Sequence, residues 1–176
     1  FDEKSQRQQY AWLYGTGGNG KSAMVRVLMN ALGPVSAFEN PPTRDAKHWT
    51  VGLSSKRLVV FPDCNNVGFV TSGEFKQLTG EDPVRMEPKG KPVYYETLDA
   101  KFLIISNDRP RISSAKADMR RVLFFSVAEL PDASKVDRYE ERLALEAPAF
   151  LSACWQAYLD ASGGNPRHEF VAQDQT

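Results

Sequence analysis

The sequence has no surplus of charge: Lys plus Arg and Asp plus Glu each total 22 in 176 residues, so the formal net charge is zero. A global basic field that would gather nucleic acid or an anionic surface is thereby excluded, and any contact with a polyanion has to be local. Cysteine is scarce. Cys64 and Cys154 are the only two, unspaced for metal, and they predict a reduced compartment with no structural disulfide. His48 and His168 lack partners at metal-ligand spacing, so neither receives a role. There is no signal peptide, lipidation site or long apolar run, which predicts a soluble protein of the cell interior with no membrane partner. Repeats and low-complexity segments are missing too. With 41% hydrophobic and 25% charged residues, the chain suits one globular domain with its own core. It begins at Phe1 and ends in the polar stretch Gln173 to Thr176, which predicts a piece cut from a longer polypeptide.

What is present is punctuated by glycine. The apolar run Tyr10 to Tyr14 is short, aromatic and stopped by a glycine cluster, as a buried strand should be. Beyond it Val25, Leu28, Met29 and Leu32 fall at helical spacing, and Gly33-Pro34 supplies a stop. Further strands are expected at Arg57 to Phe61, Lys101 to Ser106 and Val122 to Val127. From Val84 to Thr97, two extended runs flank Pro88-Lys89-Gly90-Lys91, which reads as a hairpin with a basic tip. The last third turns helical: Leu143, Phe150, Leu151, Cys154, Trp155 and Tyr158 form an apolar stripe, with Pro148 opening a second helix. That stripe reads as core packing and not as a base-stacking surface. Strands separated by helical segments predict an α/β fold with a mainly parallel sheet covered on both faces.

The most informative motif is GTGGNGKS, Gly15 to Ser22, the G-x-x-x-x-G-K-[ST] phosphate loop set between a predicted strand and a predicted helix. A triphosphate is densely negative, so the loop holding it must turn backbone N–H groups inward, which glycine permits. Gly15, Thr16, Gly17, Gly18, Asn19 and Gly20 form the expected cradle for ATP. Lys21 would reach the terminal phosphates, Ser22 would ligate Mg2+, and the helix would present its positive dipole end. A second carboxylate site is expected after the strand ending at Phe61, where Asp63 stands as the candidate for metal binding or water polarisation. A turn or cap aspartate is the plain alternative. Asn107, closing the strand that ends at Ser106, could orient the attacking water, or could simply make an Asn-Asp turn before Arg109-Pro110.

Taken in order, the segments GTGGNGKS, KRLVVFPD, FKQLTGEDPVRMEPKGKP, KFLIISNDRP and MRRVLFF resemble the superfamily three helicases, most nearly the phage, plasmid and poxvirus primase-helicases. The resemblance implies a P-loop NTPase of AAA+-like fold, with a β-hairpin insertion and a C-terminal helical segment. It places an ATPase motor core over 1–135 and a helical segment and tail over 136–176, within a longer replication protein, and leaves open a primase domain on the same full-length chain. ATP hydrolysis would occur at subunit interfaces of a homo-oligomer, a hexameric ring, translocating on single-stranded DNA inside the host cell, with RNA an open alternative. Residue by residue, Lys21, Asp63 and Asn107 would be catalytic, and Arg120 or Arg121 would be an arginine finger reaching a neighbour's nucleotide. Lys76 marks the family's extra motif, and Lys89 and Lys91, with Arg85 behind them, would grip the phosphate backbone. A solvated turn and a plain surface arginine pair are the alternatives for these cations.

The family usually carries glutamate where this chain offers Pro62-Asp63. The shorter arm can still hold magnesium, but it leaves open slow hydrolysis or recruitment of Glu74 or Glu81 as base. Two rival functions therefore stay in view. One is a nucleotide-dependent assembly module with little hydrolysis, and the other is a different P-loop enzyme such as a kinase.

Overall fold

The structure, a computed structural model, describes residues 8–42, 48–64, 67–80, 82–112, 116–129 and 139–161. Glu81, His168, the chain ends and the expected division at 135/136 lie outside these residues. Five strands form one sheet: β1 (Tyr10–Tyr14), β2 (Ser36–Phe38), β3 (Leu58–Phe61), β6 (Lys101–Ser106) and β7 (Val122–Ser126). Their order across the sheet is β2-β3-β6-β1-β7, and every neighbouring pair is parallel. The α/β class and the parallel sheet expected from the apolar runs are therefore present.

Alternation along β1 separates the two faces of the sheet. On one side Tyr10 and Trp12 join Val59, Phe61, Phe102, Ile104 and Val122 in the larger core cluster. There they meet helices α2 (Val67–Val70) and α3 (Gly73–Thr79), with the 3-10 turn Trp49–Leu53 and the hairpin strand β4 (Val84–Met86). Phe61, Phe69, Phe75 and Phe102 lie at its centre, the Phe75 ring 5.6 Å from Phe102 and 5.0 Å from Phe69, both edge-on. Such aromatic contacts add about 0.5–1.5 kcal/mol each beyond area burial. On the other side Leu13, Val60 and Ile105 receive Val25 and Met29 of α1 (Lys21–Leu32). That helix ends as expected at Gly33, whose φ of 62° admits the left-handed stop and whose N–H returns to Met29 O.

Two expectations are corrected, and one strand is added to those expected. β2 was not foreseen; it is three residues long and owes its place to pairing with β3, helped by Ser36 Oγ donating to Gly33 O at 2.8 Å. Pro148 opens no second helix: α5 (Tyr139–Ala161) runs through it unbroken. Proline removes one N–H and crowds the preceding turn, which costs about 3 kcal/mol in a helix interior. Pro148 is exposed, so the carbonyl it leaves unpaired can be met by water. Nor is the apolar stripe core among the described residues. α5 lies against α1 and buries Ala147, while Trp155 is 49% and Phe150 49% exposed. Helical spacing shows that residues share a face, without saying what that face meets.

The remaining pair, β4 and β5 (Tyr94–Glu96), is an antiparallel hairpin between α3 and β6, as expected. Its turn is closed by Lys91 N–H donating to Pro88 O at 3.2 Å, and Gly90 has φ 72° where a type II turn demands a positive value.

Tyr10 offers a test of this packing. Burial, and next the charge of Asp118, push its phenol up to about 12. The unfolded chain releases that proton near pH 10 and the folded chain keeps it, so stability is full below about 10 and declines as pH rises towards 12. Urea midpoints for Tyr10→Phe should fall less steeply across this window than wild type, and identical slopes would show that Tyr10 is not the group responsible.

Candidate nucleotide-binding site

Because all five strands are parallel, their carboxyl ends form a single edge. The loop Gly15–Gly20 leaves β1 at that edge. Asn107 follows β6 directly, alongside, and Asp63 follows β3, one strand further out. Ligands in open parallel sheets bind outside this edge. The fold thus brings the loop, the acid and the amide expected from the sequence to one side of the molecule.

Within the loop, the Lys21 side chain folds back on its own backbone. Its ammonium donates to Gly15 O at 2.6 Å, Thr16 O at 2.9 Å and Asn19 Oδ1 at 2.9 Å. An ammonium has three donors, and these three acceptors satisfy them all. The residue is only 5% exposed, so each bond is made where an unpaired charge would be costly. Asn19 is the second fixed point. While its Oδ1 accepts from Lys21, its Nδ2 donates to Val127 O at 3.0 Å, just past β7, and Val127 N–H donates to Tyr14 O at 2.8 Å. The sequence expectation made Asn19 one more cradle residue; its side chain is here a clamp between loop and sheet.

Gly15 is fixed by space. A Cβ there would sit 2.4 Å from Val127 O and 2.7 Å from Asn19 Nδ2, whereas a Cβ on Gly17 meets nothing within 4 Å. Ser22 is exposed in the first turn of α1, whose start is set by Gly20 at φ 82°. A glycine loop, a lysine held inside it and a helix start suit a phosphate chain.

Asp63 is exposed and has φ 48°. Aspartate tolerates the left-handed region better than most residues, though at some cost. The turn is pinned to the neighbouring strand by Cys64 N–H donating to Ile105 O at 2.9 Å. Asn107 is positioned from both sides: Trp12 Nε1 donates to Ser106 Oγ at 2.9 Å, and that hydroxyl donates to Asp108 O at 2.6 Å. Arg109 lies in the same loop with its guanidinium 5.7 Å from the Phe124 ring centre, a cation near the edge to which the sequence reading gave no role. Among the described residues no cluster of three or more His, Cys, Asp or Glu could hold a metal ion. Magnesium carried by a nucleotide needs only one or two protein oxygens, and Ser22 and Asp63 offer these. Glu74 accepts the Trp49 indole N–H at 3.1 Å.

The cations expected to act on a neighbour or on nucleic acid lie elsewhere. Arg121 precedes β7, and its carbonyl accepts from Tyr10 N–H at 2.8 Å at the start of β1. It therefore lies at the amino edge of the sheet. A five-residue strand separates it from the loop, which is roughly 15 Å at about 3.3 Å per residue. Its guanidinium donates to Lys76 O at 3.4 Å and Thr79 Oγ1 at 3.3 Å. Lys76 Nζ in turn pairs with Asp118 at 2.7 Å, so this lysine joins α3 to the short helix α4 (Lys116–Met119) before β7. Arg120 is exposed, and among the described residues its guanidinium has no hydrogen-bond or ion-pair partner. Lys89 and Lys91 are exposed at the hairpin tip. Arg85, behind them, pairs with Glu87 at 2.5 Å.

The sequence profile of a family described as "Family of unknown function (DUF5906)" matches residues 13–121. No curated protein matches the chain. Among solved structures it is similar to the apo structure of the NrS-1 C terminal region, with a TM-score of 0.65 and 16% identity over 82% of this chain and 36% of that one. A form A apo structure of the same region gives 0.66 at 15% identity, covering 85% of this chain and 36% of that chain. At such identity the likeness shows a shared fold, and this chain spans about a third of the length of those structures.

Loop geometry gives a stability test. Gly15→Ala should lower the unfolding free energy by about 1–3 kcal/mol, because its methyl group meets Val127 O. Gly17→Ala, facing open space, should stay within about 0.5 kcal/mol of wild type. Equal effects in thermal unfolding would show that the Gly15–Val127 approach is not tight.

Proposed function

We propose that this chain, which belongs to the DUF5906 family of unknown function, is the ATP-hydrolysing motor of a helicase that moves on single-stranded DNA during replication of a virus or mobile element. The observation that carries the proposal is the loop itself: a buried lysine whose ammonium donates to three acceptors of its own loop, between a strand and a helix start, with an acid and an amide after the two nearest strands to one side. The strand order and the hairpin inserted before β6 also support an AAA+-like P-loop fold.

In this reading the amides of Gly15 to Ser22 surround the phosphates, and Lys21 exchanges its three loop acceptors for phosphate oxygens. Ser22 and Asp63 would hold the magnesium ion. Bound Mg-ATP supplies the phosphoryl group to be cleaved and part of the charge neutralisation. Asn107, locked between Ser106 and Asp108, orients the attacking water through its amide. Lys89 and Lys91 grip backbone phosphates without regard to base sequence.

The finger is assigned to Arg120. Arg121 is committed to Lys76 and Thr79, and the amino edge lies farther from the same chain's loop than an arginine side chain reaches. A finger at this position acts only on the loop of a neighbouring copy, which fits the ring, a hexamer, that the family resemblance implies. An arginine finger is worth about three to five orders of magnitude in turnover.

One observation favours a second reading, an assembly module with little hydrolysis. Asp63 is a short carboxylate, exposed on a left-handed turn, where the resembled family has glutamate. ATP turnover that disappears in Lys21→Ala separates the two.

Lys21→Ala and Arg120→Ala should each lose at least about a thousandfold in DNA-stimulated ATPase rate. Mixed together, they should recover a measurable part of it, because one supplies the finger and the other the loop. A mixture no more active than its components would place the finger in the same chain or remove it altogether. Arg121→Ala should instead lower thermal stability, through loss of its bonds to α3.

A further inference from the structure

We propose that the outward face of the β4–β5 hairpin is a stacking platform on which Tyr95, braced by Arg85 directly across from it, receives an unpaired nucleobase. The platform rests on the helicase reading and extends it from a phosphate grip to a contact with bases.

The register decides which side chains share that face. Val84 pairs with Glu96, Arg85 with Tyr95 and Met86 with Tyr94. Directly opposed residues project to the same side of an antiparallel pair, and their neighbours to the other. Val84 and Met86 are buried in the core, so Arg85 and Tyr95 point away from the protein. At 67% exposure Tyr95 is the most exposed aromatic among the described residues. Val93, two residues earlier on the same side, is exposed as well.

An exposed tyrosine alone would be ordinary; its setting is what points to a ligand. The hairpin is fastened from behind: Thr50 Oγ1 donates to Arg85 O at 2.9 Å, a His48 ring nitrogen bonds Glu87 O, and Ser54 Oγ donates to the Glu96 carboxylate at 2.9 Å. Backbone order is therefore already present, and a ligand need only settle two side-chain torsions of Tyr95. Glu87 fixes the Arg85 guanidinium at 2.5 Å and offsets its charge. The uncompensated charge is at the tip, where Lys89 and Lys91 are exposed and, among the described residues, meet no carboxylate. An aromatic face with a guanidinium beside it and two ammonium groups beyond it complements a strand that alternates flat bases with phosphates. A duplex would not offer its base faces. A protein partner would gain little from the lysines unless it were acidic.

The test compares an oligothymidylate with an abasic oligomer of the same length and charge, bound to the full chain over a range of salt. Wild type should prefer the oligothymidylate by about 5- to 100-fold, which is the worth of stacking one base. Tyr95→Ala should remove that preference without changing the salt slope, and Tyr95→Phe should keep it, since the hydroxyl plays no part. Lys89→Ala with Lys91→Ala should flatten the slope for both oligomers and keep the preference. Equal binding of the two oligomers by wild type, or a preference that survives in Tyr95→Ala, overturns the platform and leaves the phosphate grip standing. A change in the sedimentation of Tyr95→Ala without nucleic acid also overturns it, because Tyr95 would then be a contact between copies. If neither oligomer binds wild type, the helicase reading falls and the platform with it.

Discussion

The Lys21 ammonium is the charge around which the carboxyl edge of the sheet is organised. A buried cation requires acceptors, and the chain supplies them from Gly15, Thr16 and Asn19, all within the loop. Asn19 can serve only because its amide is itself held by Val127 O, at the end of β7. Gly15 must lack a side chain because the same carbonyl comes so close. One electrostatic requirement therefore explains the glycine, the asparagine and the docking of β7 against the loop. In the proposed reading, phosphate oxygens, which are themselves charged, would hold the ammonium more strongly than these neutral carbonyls do.

From that loop a continuous set of contacts runs across the molecule. Val127 follows β7, β7 begins beside Arg121, and Arg121 with the Lys76–Asp118 pair holds α3, which leads into the hairpin. The proposed nucleotide site thus lies at the carboxyl edge of the sheet, while the contacts made at its amino edge hold the helix that precedes the hairpin. The proposed finger, Arg120, is exposed at the amino edge, a strand's length from its own loop.

Much of this was legible in the sequence, for physical reasons that can be named. Buried parallel strands must be apolar on both faces, and the runs at Tyr10, Leu58, Lys101 and Val122 gave their strands within a residue or so. The loop glycines and the Gly90 turn announced themselves because few other residues adopt those backbone angles. What stayed hidden depends on distant partners. β2 is held by pairing more than by its own three residues. Lys76 meets Asp118, 42 positions away, and no local pattern encodes that pair. The spacing of the α5 stripe gives a face and not its partner, and Phe150 and Trp155 on it are each 49% exposed. Asn19 looked like cradle because its clamp on Val127 spans 108 positions.

The claim beneath all of this is that Lys21 releases its loop and turns to a triphosphate. Calorimetric titration of the folded chain with Mg-ATP, beside Lys21→Ala, tests it most directly. The account predicts saturable binding to wild type, weakened by about tenfold or more in the variant, which is the loss of at least one charge-assisted bond at about 1.5–3 kcal/mol. No heat of binding to wild type, or equal affinity in the two proteins, would contradict it.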